Sequence, residues 1–436
     1  MKSIKTIKRT KKKNNRKIYL KGGKMLGKGS FGCVITPPIG CYNMNIDKFK
    51  NRKYVSKIVH SDGYDNEITN EVKMGHFVYS LDKVGKYFTP IIKYCYIKDE
   101  TRDNIMQIES INNSNDYYVI RNDYPGIKDS KKCKIDEKRQ PYNLILRNAG
   151  GDLAAALEKP KFSLEHKYLI KNIRSVMKHL CMAVKKLHDN HVLQRDIKPE
   201  NISFKIDITG QVAKITIFDF GISEFLTNNT LNNIASGGTM VFKPPEIGII
   251  KNIVKELNKS NKLSTSIDRL RDKKIILKIF QKSRAKYEKY DKTYNAYRKL
   301  QRGGITNIDM FKKTVKTNTS DFYKPSIDDI LIYKNVLNLI QEGILETEFY
   351  KQHGILCKWD VYSLGMSFLE MITDLKYYNK DCIDLINNMI NIDFTKRYNI
   401  LDCLKHRFLQ VKKTKKVKRR NRSQKKKKNK KIKRRK

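Results

Sequence analysis

The segment "QRDIKPEN" brings together three polar side chains that could do chemistry: Asp196, Lys198 and Asn201. It follows a long run of helical apolar periodicity, so its carboxylate would be held by a scaffold where a helix gives way to a loop. A second acid, Asp219, stands at the end of an alternating strand in "ITIFDFG". Carboxylate and amide oxygens suit Mg²⁺, which prefers them together with phosphate oxygens. These residue types favour a metal-assisted reaction on phosphates.

Three glycines near the start of the chain, Gly27, Gly29 and Gly32 in "GKGSFG", have the spacing G-x-G-x-x-G. In a dinucleotide-binding unit a helix would follow the third glycine, but here the β-formers "CVIT" follow it. The pattern therefore predicts a strand, a turn and a strand. Backbone N–H groups in such a turn can approach phosphate oxygens closely, because no Cβ intervenes. An ordinary glycine-rich hairpin would give the same pattern, so this segment alone leaves both interpretations open.

Lys57 lies in the alternating strand "KYVSKIVH", on the same face as Val55 and Val59. A lone lysine among apolar neighbours usually extends its ammonium to solvent. The helical run that follows, "DNEITNEVKMGHFVYSL", offers an acid that could hold the ammonium instead. We predict Glu71 as this partner rather than Glu67, because the apolar residues around Glu71 indicate the edge of the core.

Together these segments supply lysines, carboxylates, an asparagine and a turn of backbone donors. Phosphoryl transfer needs little covalent chemistry from a protein, because positioning and charge neutralisation lower the barrier. The sequence therefore indicates phosphoryl transfer from a nucleotide.

Seven motifs, in order along the chain, resemble those of the eukaryotic-type protein kinases. They run from the glycine turn and the strand lysine through "QRDIKPEN" and "DFG" to "GTMVFKPPE" and "KWDVYSLG", and they extend over residues 24 to 408. The resemblance implies an α+β, bilobal fold with a small β-rich N-lobe and a large helical C-lobe. It also implies that Glu246 pairs with Arg397, and that the helix carrying Asp360 supports the large lobe.

The resemblance implies a role for each polar residue of the site. Asp196 would accept the proton of the substrate hydroxyl, and Lys198 would neutralise the transferring phosphate. Lys57 would bind the α- and β-phosphates of ATP. Asn201 and Asp219 would hold Mg²⁺, with Mn²⁺ as an alternative metal.

The serine/threonine class is implied by Lys198 two residues after the catalytic Asp and by Thr239 in "GGTM", whose hydroxyl reaches the catalytic Asp and Lys in such enzymes. The catalytic set implied by the resemblance is Asp196, Lys198, Asn201 and Thr239. The residues implied to bind the nucleotide are Leu26, Gly27, Lys28, Gly29, Ser30, Phe31, Gly32, Cys33, Val34, Lys57 and Glu71.

Two features depart from the family pattern. Gln194 stands where the family has a packing and hydrogen-bonding histidine, and a glutamine amide can replace its donor. Glu246 and Asp360 are 114 residues apart, whereas the family separates them by about a dozen. The predicted domains are a basic disordered arm at 1–19, an N-lobe at 20–147, a C-lobe at 148–410 with an insert at about 250–355, and a basic disordered tail at 411–436.

The chain is strongly basic, with 92 Lys and Arg against 44 Asp and Glu and a formal net charge of +48. Residues 1–17 and 412–436 hold 27 of these cations and no acid, which leaves +21 for the remainder. Runs such as "KKKKNKKIKRRK" cannot bury enough apolar surface to fold, so we expect both ends to be disordered. They favour non-specific binding to nucleic acid or another polyanion over merely solvated tails.

The eight cysteines are scattered and form no C-x-x-C pair, so we expect no zinc site. Because the N-terminus is not a signal-like apolar segment, we expect no disulfide framework either. No apolar run approaches the roughly 18 residues of a membrane span. We therefore expect an intracellular protein of the cytoplasm or nucleus, with ATP and a protein substrate as partners. The oligomeric state leaves no signal in the sequence.

A narrower resemblance links the glycine turn followed by "CVITPPIGC", the basic ends and the large insert to serine/threonine kinases of large cytoplasmic DNA viruses. It would imply a location in the virion or the infected cell. A small-molecule kinase would share the metal residues, but the "RDIKPEN" loop and the "PPE" segment favour a protein substrate. A catalytically weak or dead kinase fold that binds nucleic acid through its basic ends is the alternative from another class. Loss of Lys57, Asp196 or Asp219 would have favoured it, and all three are present.

Overall fold

A computed structural model describes the chain in segments between Lys24 and Gln410. The described residues are 24–29, 32–38, 49, 53–60, 66–96, 117–119, 134–136, 141–207, 209–211, 213–226, 238–239, 242–244, 246–257, 334–335 and 354–410. Both basic ends and most of the predicted insert lie outside the described residues. Ser30 and Phe31, which were predicted to bind the nucleotide, also lie outside them.

The chain divides into two compact units. The first takes its described residues from 1–153, 201–205 and 212–224, and the second takes them from 154–200, 206–211 and 225–436. Strands dominate the first unit and helices dominate the second. An α+β architecture was expected from the sequence, and it is confirmed.

A five-stranded antiparallel sheet forms the centre of the first unit, with the strand order β1-β2-β3-β7-β4. Its strands are β1 (Lys24–Gly29), β2 (Gly32–Thr36), β3 (Tyr54–His60), β4 (Ile91–Tyr96) and β7 (Pro141–Arg147). Alternation along β3 turns Val55 and Val59 into an apolar cluster with Ile91, Leu144 and Leu146. Burial of this cluster holds β3 in the middle of the sheet and fixes its register.

Three smaller groups of elements complete the first unit. They are helix α1 (Asn66–Leu81), the antiparallel pair of β5 (Tyr117–Val119) and β6 (Lys134–Asp136), and a three-stranded sheet of β8 (Gly151–Asp152), β10 (Ile202–Ile206) and β11 (Ala213–Ile217). A chain of buried hydroxyls joins Thr89, Thr216 and Ser203, with oxygens 2.6 Å apart at each step. These bonds satisfy polar groups that would otherwise be costly to bury.

Seven helices are described in the molecule, and six of them belong to the second unit. They are α2 (Leu153–Leu157, whose first residue still belongs to the first unit), α3 (Leu164–His188), α4 (Glu246–Leu257), α5 (Cys357–Asp374), α6 (Lys380–Met389) and α7 (Ile400–Lys405). Two-residue strands occur at β9 (Val192–Leu193) and β12 (Glu224–Phe225). The hydroxyl of Ser163 caps the start of α3 by accepting a bond from the His166 N–H. The long amphipathic helix predicted before the "QRDIKPEN" loop is thus confirmed.

A buried ion pair links two distant segments of the second unit. Arg397 donates through two nitrogens to the two carboxylate oxygens of Glu246, at 2.6 and 3.1 Å, and both side chains are fully buried. The guanidinium also lies 4.8 Å from the centre of the Tyr362 ring. The pairing of Glu246 with Arg397 that the sequence implied is confirmed.

Two cysteines contradict the expectation that the chain forms no disulfides. Cys33 and Cys95 each take part in a disulfide bond. The free cysteines among the described residues are Cys181, Cys357, Cys382 and Cys403. The sequence argument rested on the composition of the N-terminus, which does not report which thiols lie close together in space. Among the described helices, none is long and apolar enough to cross a membrane.

Candidate active site

The ammonium of Lys57 lies between two carboxylates of the first unit. Its Nζ is 2.7 Å from Glu71 Oε1 and 3.0 Å from Asp219 Oδ1. Burial by itself would lower the pKa of Lys57, but the charges and hydrogen bonds of Glu71 and Asp219 outweigh burial and raise it. Lys57 therefore stays positively charged, as an electrostatic partner for phosphate must. The pairing with Glu71 is the one predicted from the sequence, and it is confirmed; the side chain of Glu67 lies outside the described residues.

Burial acts on the pKa of Glu71 in the opposite direction from its action on the pKa of Lys57. Burial raises the pKa of the Glu71 carboxyl, the charge of Lys57 lowers it, and the nearby Asp219 raises it again. The net direction is upward. Because one ammonium must compensate two carboxylates, the cluster has room for a further positive charge near Asp219.

The backbone around Asp219 is held in an uncommon conformation. Asp219 has a φ of 63°, in the left-handed region that non-glycine residues rarely adopt. Asn70, one residue before Glu71, donates from its amide nitrogen to the carbonyls of Gly221 and Ser223, at 3.0 Å each. Helix α1 therefore positions both the partner of Lys57 and the segment that follows Asp219.

The side chain of Phe220 reinforces this segment by packing into the first unit. It is buried, and its ring meets the ring of Phe88 edge-on, with centroids 5.8 Å apart. Consecutive residues of the "DFG" motif thus have different environments: Asp219 contacts Lys57 and Phe220 contacts the core.

The glycine turn joins β1 to β2 as an antiparallel hairpin, which confirms the strand-turn-strand prediction. Across the sheet, Lys57 is paired directly with Val34 of β2. The side chain of Cys33 is fully buried, whereas Leu26 is 41% exposed. The register places the glycine hairpin beside the strand that carries Lys57.

Asn201 is the second predicted metal ligand, and it also belongs to the first unit. Its side chain is buried, and its carbonyl accepts a 3.0 Å hydrogen bond from the N–H of Phe218, the residue before Asp219. One amide oxygen and one carboxylate fit Mg²⁺, which takes few protein ligands when phosphates and waters supply the rest. In the described part of the chain, no group of three or more His, Cys, Asp or Glu side chains could hold a metal by itself.

The loop that follows β9 in the second unit brings Asp196 and Lys198 together with Thr239. Lys198 Nζ lies 3.0 Å from Asp196 Oδ2 and donates to the Thr239 hydroxyl at 2.6 Å. The Thr239 N–H donates to Asp196 Oδ1 at 2.7 Å. The contact of the Thr239 hydroxyl with Lys198, which the sequence implied, is confirmed, whereas Asp196 is contacted by the Thr239 backbone N–H rather than by the hydroxyl.

Glycine at position 238 permits this close approach. Gly238 has a φ of 91°, and a Cβ there would lie 2.7 Å from the carbonyl oxygen of Arg195. A side chain at this position would have to displace the backbone of the loop that carries Asp196, so Thr239 could not keep its contacts.

The loop that carries Asp196 is held in place by the side chain of one buried acid, Asp360. Asp360 Oδ2 accepts from the N–H of Gln194 at 2.9 Å and from His188 Nε2 at 3.1 Å, and Oδ1 accepts from the N–H of Arg195 at 2.9 Å. Arg195 has a φ of 71°, so the loop turns sharply just before Asp196. The side chain of Asp360 therefore holds the backbone of the loop. This agrees with the expectation that the helix carrying Asp360 supports the large lobe.

Gln194 uses a different atom from the one that sequence reasoning emphasised. The side chain is fully buried, and its Oε1 accepts a 2.7 Å hydrogen bond from the N–H of Asp196. The acceptor role is observed, and the donor role expected from the replacement of a histidine stays a prediction, because the amide group can carry both functions. Asn70 was missed altogether, since nothing in its sequence position indicates that it bonds to a segment 150 residues away.

The fold and these two clusters define the class of protein. The chain belongs to the protein kinase domain family, which matches residues 20–409. The family predicted from the motifs is confirmed.

Curated relatives share this class over part of the chain. Calcium-dependent protein kinase 6 of Plasmodium berghei is 30% identical over 98 residues, which are 22% of this chain and 6% of that protein. A serine/threonine-protein kinase of Drosophila simulans is 32% identical over 114 residues, and one of Drosophila melanogaster is 31% identical over 113 residues; each match covers 26% of this chain and 14% of the relative. The matched segments are thus a small fraction of these relatives. The narrower resemblance to viral kinases stays a prediction.

Proposed function

We propose that the protein is a serine/threonine protein kinase that transfers the γ-phosphate of ATP to Ser and Thr hydroxyls of a protein substrate. The observation that carries this proposal is the contact of Thr239 with both Asp196 and Lys198. One threonine, of a type typical of this class, thus contacts both groups: its N–H donates to a carboxylate suited to accept a proton, and its hydroxyl accepts from an ammonium suited to balance phosphate charge.

In this proposal Asp196 accepts the proton as the substrate hydroxyl attacks phosphorus. The proton moves from the hydroxyl oxygen to a carboxylate oxygen, the new O–P bond forms, and the bond to the leaving ADP oxygen breaks. Lys198 balances the negative charge that moves across the transferring group. Two hydrogen bonds hold Asp196 in position before substrate binds: its carboxylate accepts from the Thr239 N–H, and its own N–H donates to Gln194 Oε1.

The nucleotide and metal roles are proposed for residues of the first unit. Lys57, kept charged by Glu71 and Asp219, would bind the α- and β-phosphates. Residues 26–34 of the glycine hairpin would contribute backbone donors and apolar contacts. Asn201 and Asp219 would hold Mg²⁺ or Mn²⁺, which supplies charge neutralisation at the phosphate oxygens when bound.

The proposal also covers the binding role of the basic ends and the location of the protein in the cell. Residues 412–436 hold 18 Lys or Arg and no acid, so they would bind nucleic acid or another polyanion without sequence preference. An intracellular location stays a prediction.

A radiolabelled-ATP assay with casein, a basic protein and the kinase alone tests the proposed activity. Label should appear on protein when Mg²⁺ or Mn²⁺ is supplied, and acid hydrolysis should release phosphoserine and phosphothreonine. Phosphotyrosine as the main product would contradict the class, and absence of label on all three targets would contradict the activity.

A further inference from the structure

Helix α3 (Leu164–His188) has two opposite faces of different chemistry. Ten of its residues are buried, including Leu169, Ile173 and Leu180, and they form the apolar face against the rest of the second unit. The opposite face carries Lys167, Lys171, Arg174 and Lys178, and we call these four residues the α3 cationic face. Three of them are exposed, and Lys178 is half-buried.

The four cations form a straight row. Their separations of four, three and four residues keep them within about 60° of one another around the helix, given about 100° per residue. Because each residue advances the helix by about 1.5 Å, the row is about 16.5 Å long, with a cation roughly every 5.5 Å. A regular helix therefore presents evenly spaced positive charges along one line.

Neighbouring acids do not neutralise this row. Glu165 is the only acidic residue in α3, and it pairs with Lys159 outside the row. Within the described part of the chain, Lys167, Lys171 and Lys178 have no acidic partner. The Arg174 guanidinium lies 5.3 Å from the centre of the Phe408 ring, a contact that leaves its charge in place. Like charges three or four residues apart destabilise a helix slightly, and a bound polyanion would remove that cost.

We propose that the α3 cationic face binds the phosphodiester backbone of nucleic acid. One strand of duplex DNA presents a phosphate about every 3.4 Å along the axis, so the row faces about five phosphates. Flexible lysines suit contacts to phosphate, which carry no sequence information, better than bidentate contacts to bases. A membrane surface fits less well, because the exposed apolar residues form no continuous band along the row: Phe162 and Leu164 lie together at the start of the helix, and Ile170 and Met182 lie apart from them.

Salt titrations of the full-length protein test this proposal separately from the kinase activity. The variant carries Lys167→Gln, Lys171→Gln and Lys178→Gln, which remove three charges at positions where glutamine keeps helix propensity. Binding of a fluorescent DNA duplex is measured between about 50 and 200 mM salt. Each lost phosphate contact reduces the slope of log K against log salt by about 0.7 to 0.9, so the slope should become shallower by about two to three.

Two matched variants give this measurement its control. Lys83→Gln, Lys93→Gln and Lys380→Gln remove the same charge from exposed positions on other elements and should change the slope by less than about one. Replacement of the three α3 lysines by arginine keeps the charge and should preserve the wild-type slope. Equal slopes for the two glutamine variants would overturn the proposal. So would loss of binding to phosphatidylserine vesicles with DNA binding unchanged, because the face would then recognise membrane.

Discussion

The Lys198 ammonium donates a 2.6 Å hydrogen bond to the hydroxyl of Thr239, 41 residues further along the chain. The same threonine donates its backbone N–H to Asp196, so one residue contacts both charged groups of the catalytic loop. The two contacts are chemically separable, because a substitution can remove the hydroxyl and leave the N–H in place.

Replacement of Thr239 by valine should therefore lower turnover without unfolding the loop. A hydrogen bond to a charged group contributes about 1.5 to 3 kcal/mol, which corresponds to a loss of about 10- to 100-fold in kcat. Thr239→Ser keeps the hydroxyl and should stay within a few-fold of wild type. Steady-state kinetics with a peptide substrate measure both variants, and a valine variant as active as the serine variant would show that the hydroxyl has no role.

The buried pair of Glu246 and Arg397 should matter for stability rather than for chemistry. Glu246→Gln leaves the Arg397 guanidinium buried without its compensating charge, which costs about 3 to 5 kcal/mol in such sites. Urea unfolding followed by circular dichroism would report this as a lower transition midpoint.

The exposed pair of Arg407 and Asp381 offers a control for the same substitution type. Its side chains are 60% and 47% exposed, so Asp381→Asn should change stability by less than about 1 kcal/mol. A Glu246→Gln variant that unfolds at the same urea concentration as Asp381→Asn would contradict the importance assigned to the buried pair.

Glu370 on α5 should make stability depend on pH. Burial, together with the charges of Glu200 and Asp374, raises the pKa of Glu370 from 4.5 to about 7. Between these values the folded protein holds a proton that the unfolded chain has lost, so the free energy of unfolding falls as pH rises. Solvent screening of this partly exposed group reduces the effect to the order of 1 kcal/mol.

The variant Glu370→Gln cannot ionise and should lose this dependence. Relative to wild type, its free energy of unfolding should therefore rise between pH 5 and pH 8. Urea unfolding at the two values measures the difference. A variant whose stability follows the same pH profile as wild type would contradict the raised pKa.

The elements of the site were predictable where their sequence pattern is local. The alternation around Lys57, the glycines of the hairpin and the apolar period of α3 each indicate structure over a few residues, and all three were predicted correctly. Glu71 could be chosen over Glu67 because its neighbours indicate which face of α1 is buried. Motif resemblance then assigned partners that no local pattern could connect, such as Glu246 and Arg397.

Contacts that depend on tertiary geometry alone were not predictable. The bond from His188 to Asp360 joins residues 172 positions apart, and those from Asn70 reach a segment about 150 positions away. The acceptor role of Gln194 follows from the direction of its amide in a buried site, which the sequence does not specify. The disulfide bonding of Cys33 and Cys95 was missed for a related reason, because the composition of the N-terminus does not report which thiols meet in the fold.

The tail at 412–436 should bind nucleic acid through charge alone. Its 18 cations release counterions from a phosphate backbone, so affinity should fall steeply between about 50 and 200 mM salt. Truncation after Gln410 should remove most of this binding, while activity on a small peptide persists because the family match ends at residue 409. Fluorescence anisotropy with and without the tail decides the question. An affinity that does not change with salt, or an equal affinity after truncation, would contradict the prediction that the tail binds nucleic acid through charge.

The Asp196→Asn variant tests the central claim most directly. The substitution keeps the size of the side chain and its ability to accept from the Thr239 N–H, but it removes the base that accepts the substrate proton. Turnover with radiolabelled ATP and a peptide should fall by on the order of 10²-fold or more, while ATP affinity measured by calorimetry stays close to wild type. Undiminished turnover in the variant would show that Asp196 is not the catalytic base and would contradict the account.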